Sequence, residues 1–366
     1  MKSSNKGIRG FTIFAFTVST TMSMGLGFLP FVSGEEVRSS WLKLPIAALP
    51  YFLLFILLSA FMKKYNSHDF FGILKSSVWR WVYWFISIYL VISLYYAGGV
   101  LVNGMGLIVE TYLLPNTPMW LYIGTFMVVS AIGVYYGIET IGRFVVLTFV
   151  FEFLILTVII FLGFSDFFRW IYIPPIVSVD LTVMLKGAVS DMARYGGILP
   201  LFGLVAYVKQ RQGLLTSMSF GLTFVVITYV SLSIVTIGTF GFEETINLVS
   251  PFIALIQSFK SESAMFERLD LFFLSFWLYG FYKIYTIHVW FLTYIYHKTI
   301  PKLNRHLGNI GTHIIVFFLV MMLPTYVDRS VKIHNFNTIV FSLVVPISLL
   351  IFLLLKKKSG DKSYEA

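Results

Sequence analysis

Gly25-Leu26-Gly27-Phe28-Leu29-Pro30 interrupts an apolar run at the start of the chain, and Gly196-Gly197-Ile198-Leu199-Pro200 interrupts another about halfway along. Each run is otherwise long enough to cross a bilayer as one helix, which takes about 20 mostly apolar residues. Glycine and proline there leave backbone groups unpaired. Unpaired backbone at membrane depth is tolerated only where it is buried in protein or lines a polar cavity. Broken helices in corresponding positions of two halves point to a binding site near the bilayer midplane. The pattern predicts a broken first span, a broken sixth span and a cavity between them.

The bulk composition agrees with a membrane setting. Of 366 residues, 58% are hydrophobic and 12% charged, and mean hydropathy is +0.84. A soluble domain carries about 25% charged residues. The 38 Phe, 21 Tyr and 8 Trp suit lipid-facing surfaces and interfacial belts. The absence of cysteine excludes disulfides, thiolate catalysis and Cys-type metal sites. The net charge of +10 is accounted for by membrane topology, so no nucleic-acid partner is expected. Lys2, Lys6 and Arg9 followed by an apolar run superficially resemble a signal peptide. The run continues to Val32, beyond an h-region of about 7–15 residues, and reads as the first span.

Apolar runs predict about ten spans, near 10–33, 42–62, 81–109, 119–138, 143–164, 182–208, 216–240, 268–297, 310–327 and 335–355. Seventeen Lys and Arg residues fall at one set of span ends, among them Lys63, Lys64, Lys75, Arg80, Lys298, Lys302 and Arg305. Eight fall at the other set, including Arg38, Lys43 and Arg169. The asymmetry predicts both termini in the cytoplasm. The whole chain, 1–366, is expected to form a single transmembrane domain. Its halves are repeats of five spans, about 10–164 and about 182–355, with a short cytoplasmic tail at 356–366. Five spans per half make the two repeats cross the membrane in opposite senses. The apolar stretch from Ile246 to Phe259 contains Pro251 and is short for a span. It is expected to be an interfacial or re-entrant segment over the outer mouth of the cavity.

Several residues carry chemistry. Thr17, Ser19, Thr20, Thr21 and Ser23 precede the first break, and their hydroxyls can bond backbone carbonyls or a ligand's charged ends. A half-helix starting after Gly27 would aim its N-terminal amides at a ligand carboxylate. Carbonyls of the half-helix ending before Gly25 suit an ammonium group. At the second break, consecutive glycines permit close backbone approach. Arg194 either binds a ligand or pairs with Asp191 three residues earlier. Tyr95, Tyr96, Gly98, Gly99 and Asn103 put tyrosines beside a small-residue face in the third span, suited to close helix contact or to covering a ligand. Glu152 and Lys283 lie deep in the fifth and eighth spans. A lone charge there costs about 2.5–3.5 kcal/mol on insertion scales. They are expected to meet, either as a fixed structural ion pair or as a coupling site that replaces a bound cation or holds a proton.

No HExxH, P-loop or GxSxG pattern occurs, and no enzyme is expected. The six histidines lack ligand spacing with nearby acids. Neither a metal nor a cofactor is expected.

With ten spans, a 5+5 arrangement and breaks in spans one and six, the chain resembles the amino acid–polyamine–organocation superfamily, whose fold is LeuT-like. Phe266-Glu267-Arg268-Leu269-Asp270, then Phe272-Phe273 and Trp277, resemble the B subunits of endospore nutrient germinant receptors. So do Gly25-Leu26-Gly27-Phe28-Leu29-Pro30 and the compact length. The resemblance implies an all-α subunit of the spore inner membrane or cell membrane. It would act with an A subunit and a lipoprotein C subunit, sense a nutrient such as an amino acid, and trigger germination. By superfamily analogy the ligand sits between spans one, three, six and eight. The matching positions are Gly25, Leu26 and Gly27; Tyr96 and Gly99; Gly196, Gly197 and Leu199; and Trp277, Gly280 and Phe281. Thr21 and Ser23 join them through their hydroxyls. The same cavity would serve a proton-coupled amino acid permease, and an ion- or water-conducting subunit is a third alternative.

Overall fold

The computed structural model describes residues 10–27, 29, 40–65, 69–164, 167–173, 180–208, 213–248, 250–259, 269–323 and 328–356. The elements among them are all helical. The first half contains α1 (Gly10–Gly27), α2 (Ser40–Tyr65) and the short α3 (Phe70–Ser77). It continues with α4 (Arg80–Ile108), prolonged by a π turn at Val109–Leu113, then α5 (Met119–Tyr136) and α6 (Ile138–Gly163). The second half opens with α7 (Leu181–Asp191), a 3-10 stretch at Met192–Ile198 and α8 (Leu201–Leu204). It then runs through α9 (Leu214–Asn247), α10 (Pro251–Ser258), α11 (Leu269–Thr299) and α12 (Arg305–Met322). The last span joins α13 (Asp328–Ile339) to α14 (Val345–Leu355) through a π turn at Val340–Val344.

Among the described residues, seven helices are long and apolar enough to cross a membrane: 41–65, 80–113, 119–136, 138–163, 214–247, 305–322 and 333–355. The other three expected spans correspond to α1, the interrupted segment 181–207 and α11. Large apolar side chains face outward, as on α2 (Leu49, Leu53, Ile56) and α6 (Leu147, Val150, Leu154, Phe161). Hydrocarbon, unlike water, imposes no cost on that exposure.

The sixth span is interrupted where its sequence requires it. Regular α-helix gives way to the 3-10 turn at Met192, and Pro200, which has no N–H to donate, stands at the N-cap of α8. In the first span the regular helix ends at Gly27, inside the expected break. Gly25, Leu26 and Gly27 are part of α1, and the N–H of Leu29 closes a tight turn on the carbonyl of Leu26 at 3.2 Å. A glycine within a helix costs only about 1 kcal/mol relative to alanine. α1 lies at the centre of the bundle, packed by α6, α9 and α11, and that packing holds it helical. Phe28 and Pro30 lie outside the described residues, as do Lys2, Lys6, Arg9, Arg38 and the Phe266-Glu267-Arg268 signature.

Two local devices position the rest. α9 turns at Gly241, whose φ of 73° and ψ of −179° suit glycine alone. Just before the turn, the carbonyl of Gly238 accepts from the N–H of Arg169 at 2.8 Å, which ties the aromatic strip 167–173 to α9. α10 begins with Pro251 at its first turn and buries Phe252, Ile253, Leu255 and Ile256 against α1, α9 and α11. The stretch expected to be interfacial or re-entrant is thus a short helix seated on the bundle.

Candidate functional site

A cavity of about 40 Å³ lies where α1, α6, α10 and α11 meet, room for a few waters. Helical periodicity builds its walls. Glu152, Ile155, Leu156 and Ile159 on α6 recur at three- and four-residue spacing and line one side. Phe273, Phe276, Trp277 and Gly280 on α11 line the other, with Lys283 one turn further along the same stripe. Leu26 comes from α1, and Phe252 and Ile256 from α10.

The polar content of this apolar pocket is small and specific. Glu152 forms an ion pair with Lys283, whose side chain is wholly enclosed. The indole N–H of Trp277, a residue only 8% exposed, has no hydrogen-bond partner among the described residues. An unmet buried donor costs about 1–3 kcal/mol, so this group favours a guest with an acceptor. The site thus offers one donor, one carboxylate held by an ammonium group, and apolar walls.

Of the residues marked out in the sequence, Leu26, Trp277, Gly280 and Glu152 come together here. Phe281 is buried behind Trp277, their rings edge to face at 4.2 Å. The remaining positions lie elsewhere. Gly197 packs on α1 so closely that a side-chain carbon on it would fall 1.7 Å from the carbonyl oxygen of Thr20. At Gly196 the same space is filled by the methyl group of Thr338 and the hydroxyl of Ser342. Leu199 is buried in the core. Tyr96 faces the ring of His334 at 6.1 Å, and Gly99 faces Leu319 and Leu323 of α12 and its C-terminal end. In this arrangement those five positions are contacts between helices and line no part of this cavity.

Three threonine hydroxyls of α1 are engaged at home, whereas that of Ser19 is buried with no partner among the described residues. Thr17 donates to Ile13 O at 2.9 Å, Thr20 to Thr17 O at 3.2 Å and Thr21 to Thr17 O at 2.6 Å. Such back-bonding satisfies the hydroxyl and loosens the helix locally. The side chain of Ser23 and the surroundings of Gly25 and Gly27 lie outside what the structure describes.

Near the second break, Asp191 receives the Nε–H of Arg194 at 2.8 Å, the i,i+3 pair that the sequence offered as one of two roles for Arg194. Lys43 of α2 adds a second cation at 3.3 Å, a partner that sequence spacing gave no means of finding. A series of wholly buried tyrosines was missed as well. Tyr51 donates to Met192 O at 2.8 Å and Tyr195 to Leu44 O at 3.0 Å. Tyr229 donates to the carbonyls of Thr21 at 2.8 Å and Met22 at 3.0 Å. The rings follow one another at 6.0 and 5.8 Å. This series fastens α2, the 3-10 stretch and α9 to each other and to the late turns of α1.

The solved structure of Mhp1, a nucleobase-cation-symport-1 family transporter, in a closed conformation with bromovinylhydantoin bound, matches with a TM-score of 0.64 at 12% identity. The match covers 97% of this chain and 81% of that one. Inward-facing Mhp1 gives a TM-score of 0.58 at 14% identity, covering 97% and 79%. The fold is therefore the LeuT-like inverted repeat of that transporter. Spore germination protein YndE of Bacillus subtilis (strain 168) is 23% identical over 267 residues, 71% of this chain and 72% of that protein. Spore germination proteins A2 and B2 of the same organism are each 22% identical. Their matches cover 76% of both chains and 69% of both chains. The family is not one of enzymes, and its transporter fold makes this a multi-pass membrane protein. The model of the family described as spore germination protein matches residues 8–330, and the chain belongs to that family.

Proposed function

We propose that this chain is the nutrient-sensing subunit of a spore germinant receptor. It binds an amino acid or similarly small molecule within the bundle and biases it between two arrangements. The observation that carries this reading is the cavity beside Leu26, Trp277 and Glu152, which combines an unmet indole donor with a buried ion pair in a chain of the germination family. A ligand shifts a conformational equilibrium only by its difference in affinity for the two states. Trp277 and the Glu152–Lys283 pair are the groups here whose contacts a guest would change. Spans one, three, six and eight are expected to surround the fully open site. Tyr96, Gly99, Gly196, Gly197 and Leu199 would then reach the ligand only after the contacts described above separate.

The subunit is assigned to the spore inner membrane or the cell membrane, with ten spans in two repeats, about 10–164 and about 182–355. Both termini are placed in the cytoplasm on the Lys and Arg asymmetry. A and C subunits are its expected partners. The direct test is a germination assay. Spores lacking this chain should lose their response to one nutrient and regain it with the wild-type chain. Unchanged responses to every nutrient would remove the proposal.

The buried Glu152–Lys283 pair favours one second reading, a proton-coupled amino acid permease. Uptake of labelled amino acid into vesicles separates the two. Sustained accumulation driven by a proton gradient supports the permease, and binding without accumulation supports the sensor.

A further inference from the structure

At the lysine-rich end of the bundle the two-turn helix α3 lies across the ends of α8 and α11. Its inner face is aromatic. Phe70 meets Phe202 edge to face at 5.0 Å, and Phe71 meets Phe291 and Tyr294 at 5.9 Å each. Phe70, Phe71, Phe202 and Phe291 are all buried. They seal the seam between the second half of the broken span and α11. A helix this short has no stability of its own in isolation, so its docking decides its position.

That docking converges on one carboxylate. Asp69 caps α3, accepting the N–H of Gly72 at 3.0 Å. It also accepts the hydroxyl of Tyr294 at 3.1 Å and pairs with Lys298, both on α11. Lys75, at the other end of α3, donates to the carbonyl of Lys298 at 3.2 Å. Asp69–Lys298 is the single ion pair joining the α3 segment to α11 among the described residues. Its side chains are about a third exposed, at 34% and 32%, whereas the rings beneath are buried. A charged clasp open to water over a sealed aromatic layer is the arrangement of a gate with its fastening on the outside.

We propose that α3 is a gate at this end of the bundle, latched to α11 by Asp69 through Lys298 and Tyr294. Releasing the latch swings Phe70 and Phe71 off Phe202 and Phe291. The inference rests on these contacts alone and is independent of which ligand the chain binds.

The natural chain has no cysteine, so one introduced thiol reports cleanly. Val205 is buried just beyond α8 on the interrupted span, and Val205→Cys is close to isosteric. The full chain in lipid nanodiscs is treated with a membrane-impermeant maleimide. Asp69→Asn is the informative variant, because asparagine keeps the cap on α3 while removing the charge that holds Lys298. Val205→Cys should be labelled about three- to tenfold faster in the Asp69→Asn background, the range expected for a partly exposed charge-assisted contact. Lys298→Gln should act likewise, and the two together should add little. Val235→Cys, buried against Gly163 on the far part of α9, should remain unlabelled throughout. Unchanged labelling at Val205→Cys overturns the latch. Faster labelling at both thiols overturns it too, because that is general loosening and not a gate.

Discussion

The carbonyl oxygen of Thr20 lies 1.7 Å from the point where a side-chain carbon on Gly197 would sit. Only a residue without Cβ lets the broken span come this near to α1. The obstacle is backbone, which no rotamer change relieves. Gly197→Ala should therefore separate the two spans and lower stability by about 1–3 kcal/mol, the cost of overpacking. Gly311→Ala on α12, where nothing lies within 4 Å, should be neutral or slightly stabilising. Melting temperatures in detergent compare the two. Equal melting points would mean that the spans do not touch at Gly197.

Glu152 and Lys283 should behave as one unit. Removing either partner of a buried pair costs about 3–5 kcal/mol, because the other charge is left uncompensated. Glu152→Gln and Lys283→Gln should each be strongly destabilising. The double variant should be well short of the sum. Strictly additive losses would show that the pair does not form in the membrane.

Tyr229 holds α1 by donating to the carbonyls of Thr21 and Met22. Tyr229→Phe keeps the ring and removes the donor, at an expected cost of about 0.5–1.5 kcal/mol. Hydrogen exchange should speed up in the last turns of α1, and protection in α12 should be unaltered. No change in α1 would assign Tyr229 to packing alone.

The bend of α9 at Gly241 should tolerate no side chain. Its φ of 73° with ψ of −179° costs about 1–3 kcal/mol for any other residue. Gly241→Ala should lower the melting point even though the position is remote from the cavity. A melting point equal to wild type would mean that the helix runs straight there.

Much of this architecture was legible from hydropathy, because lipid demands long apolar runs. Gly196-Gly197 with Pro200 marked the interrupted span correctly, since two glycines and a missing N–H act together there. In the first span the helix carries through Gly25 and ends at Gly27, because central packing outweighs a penalty of about 1 kcal/mol per residue. The meeting of Glu152 with Lys283 followed from the cost of isolated charge. Tyr96 and Gly99 were assigned to the ligand by analogy, yet they face the last two spans, because lipid-facing and core-facing sides of a span are equally apolar and leave no hydropathy stripe to orient it. The Tyr51–Tyr195–Tyr229 series and the latch at Asp69 depend on contacts between residues far apart in the chain, and no local spacing encodes them.

The proposed function depends on recognition of a small nutrient beside Trp277 and Glu152. The most direct measurement is the melting temperature of the purified chain with each amino acid in turn, for wild type and Trp277→Phe. A ligand that binds only the folded form at about 100 times its dissociation constant adds about 2.7 kcal/mol of stability. At least one amino acid should raise the melting point of wild type, and Trp277→Phe should lose most of that rise. No rise with any amino acid, or an equal rise in both proteins, would contradict such recognition.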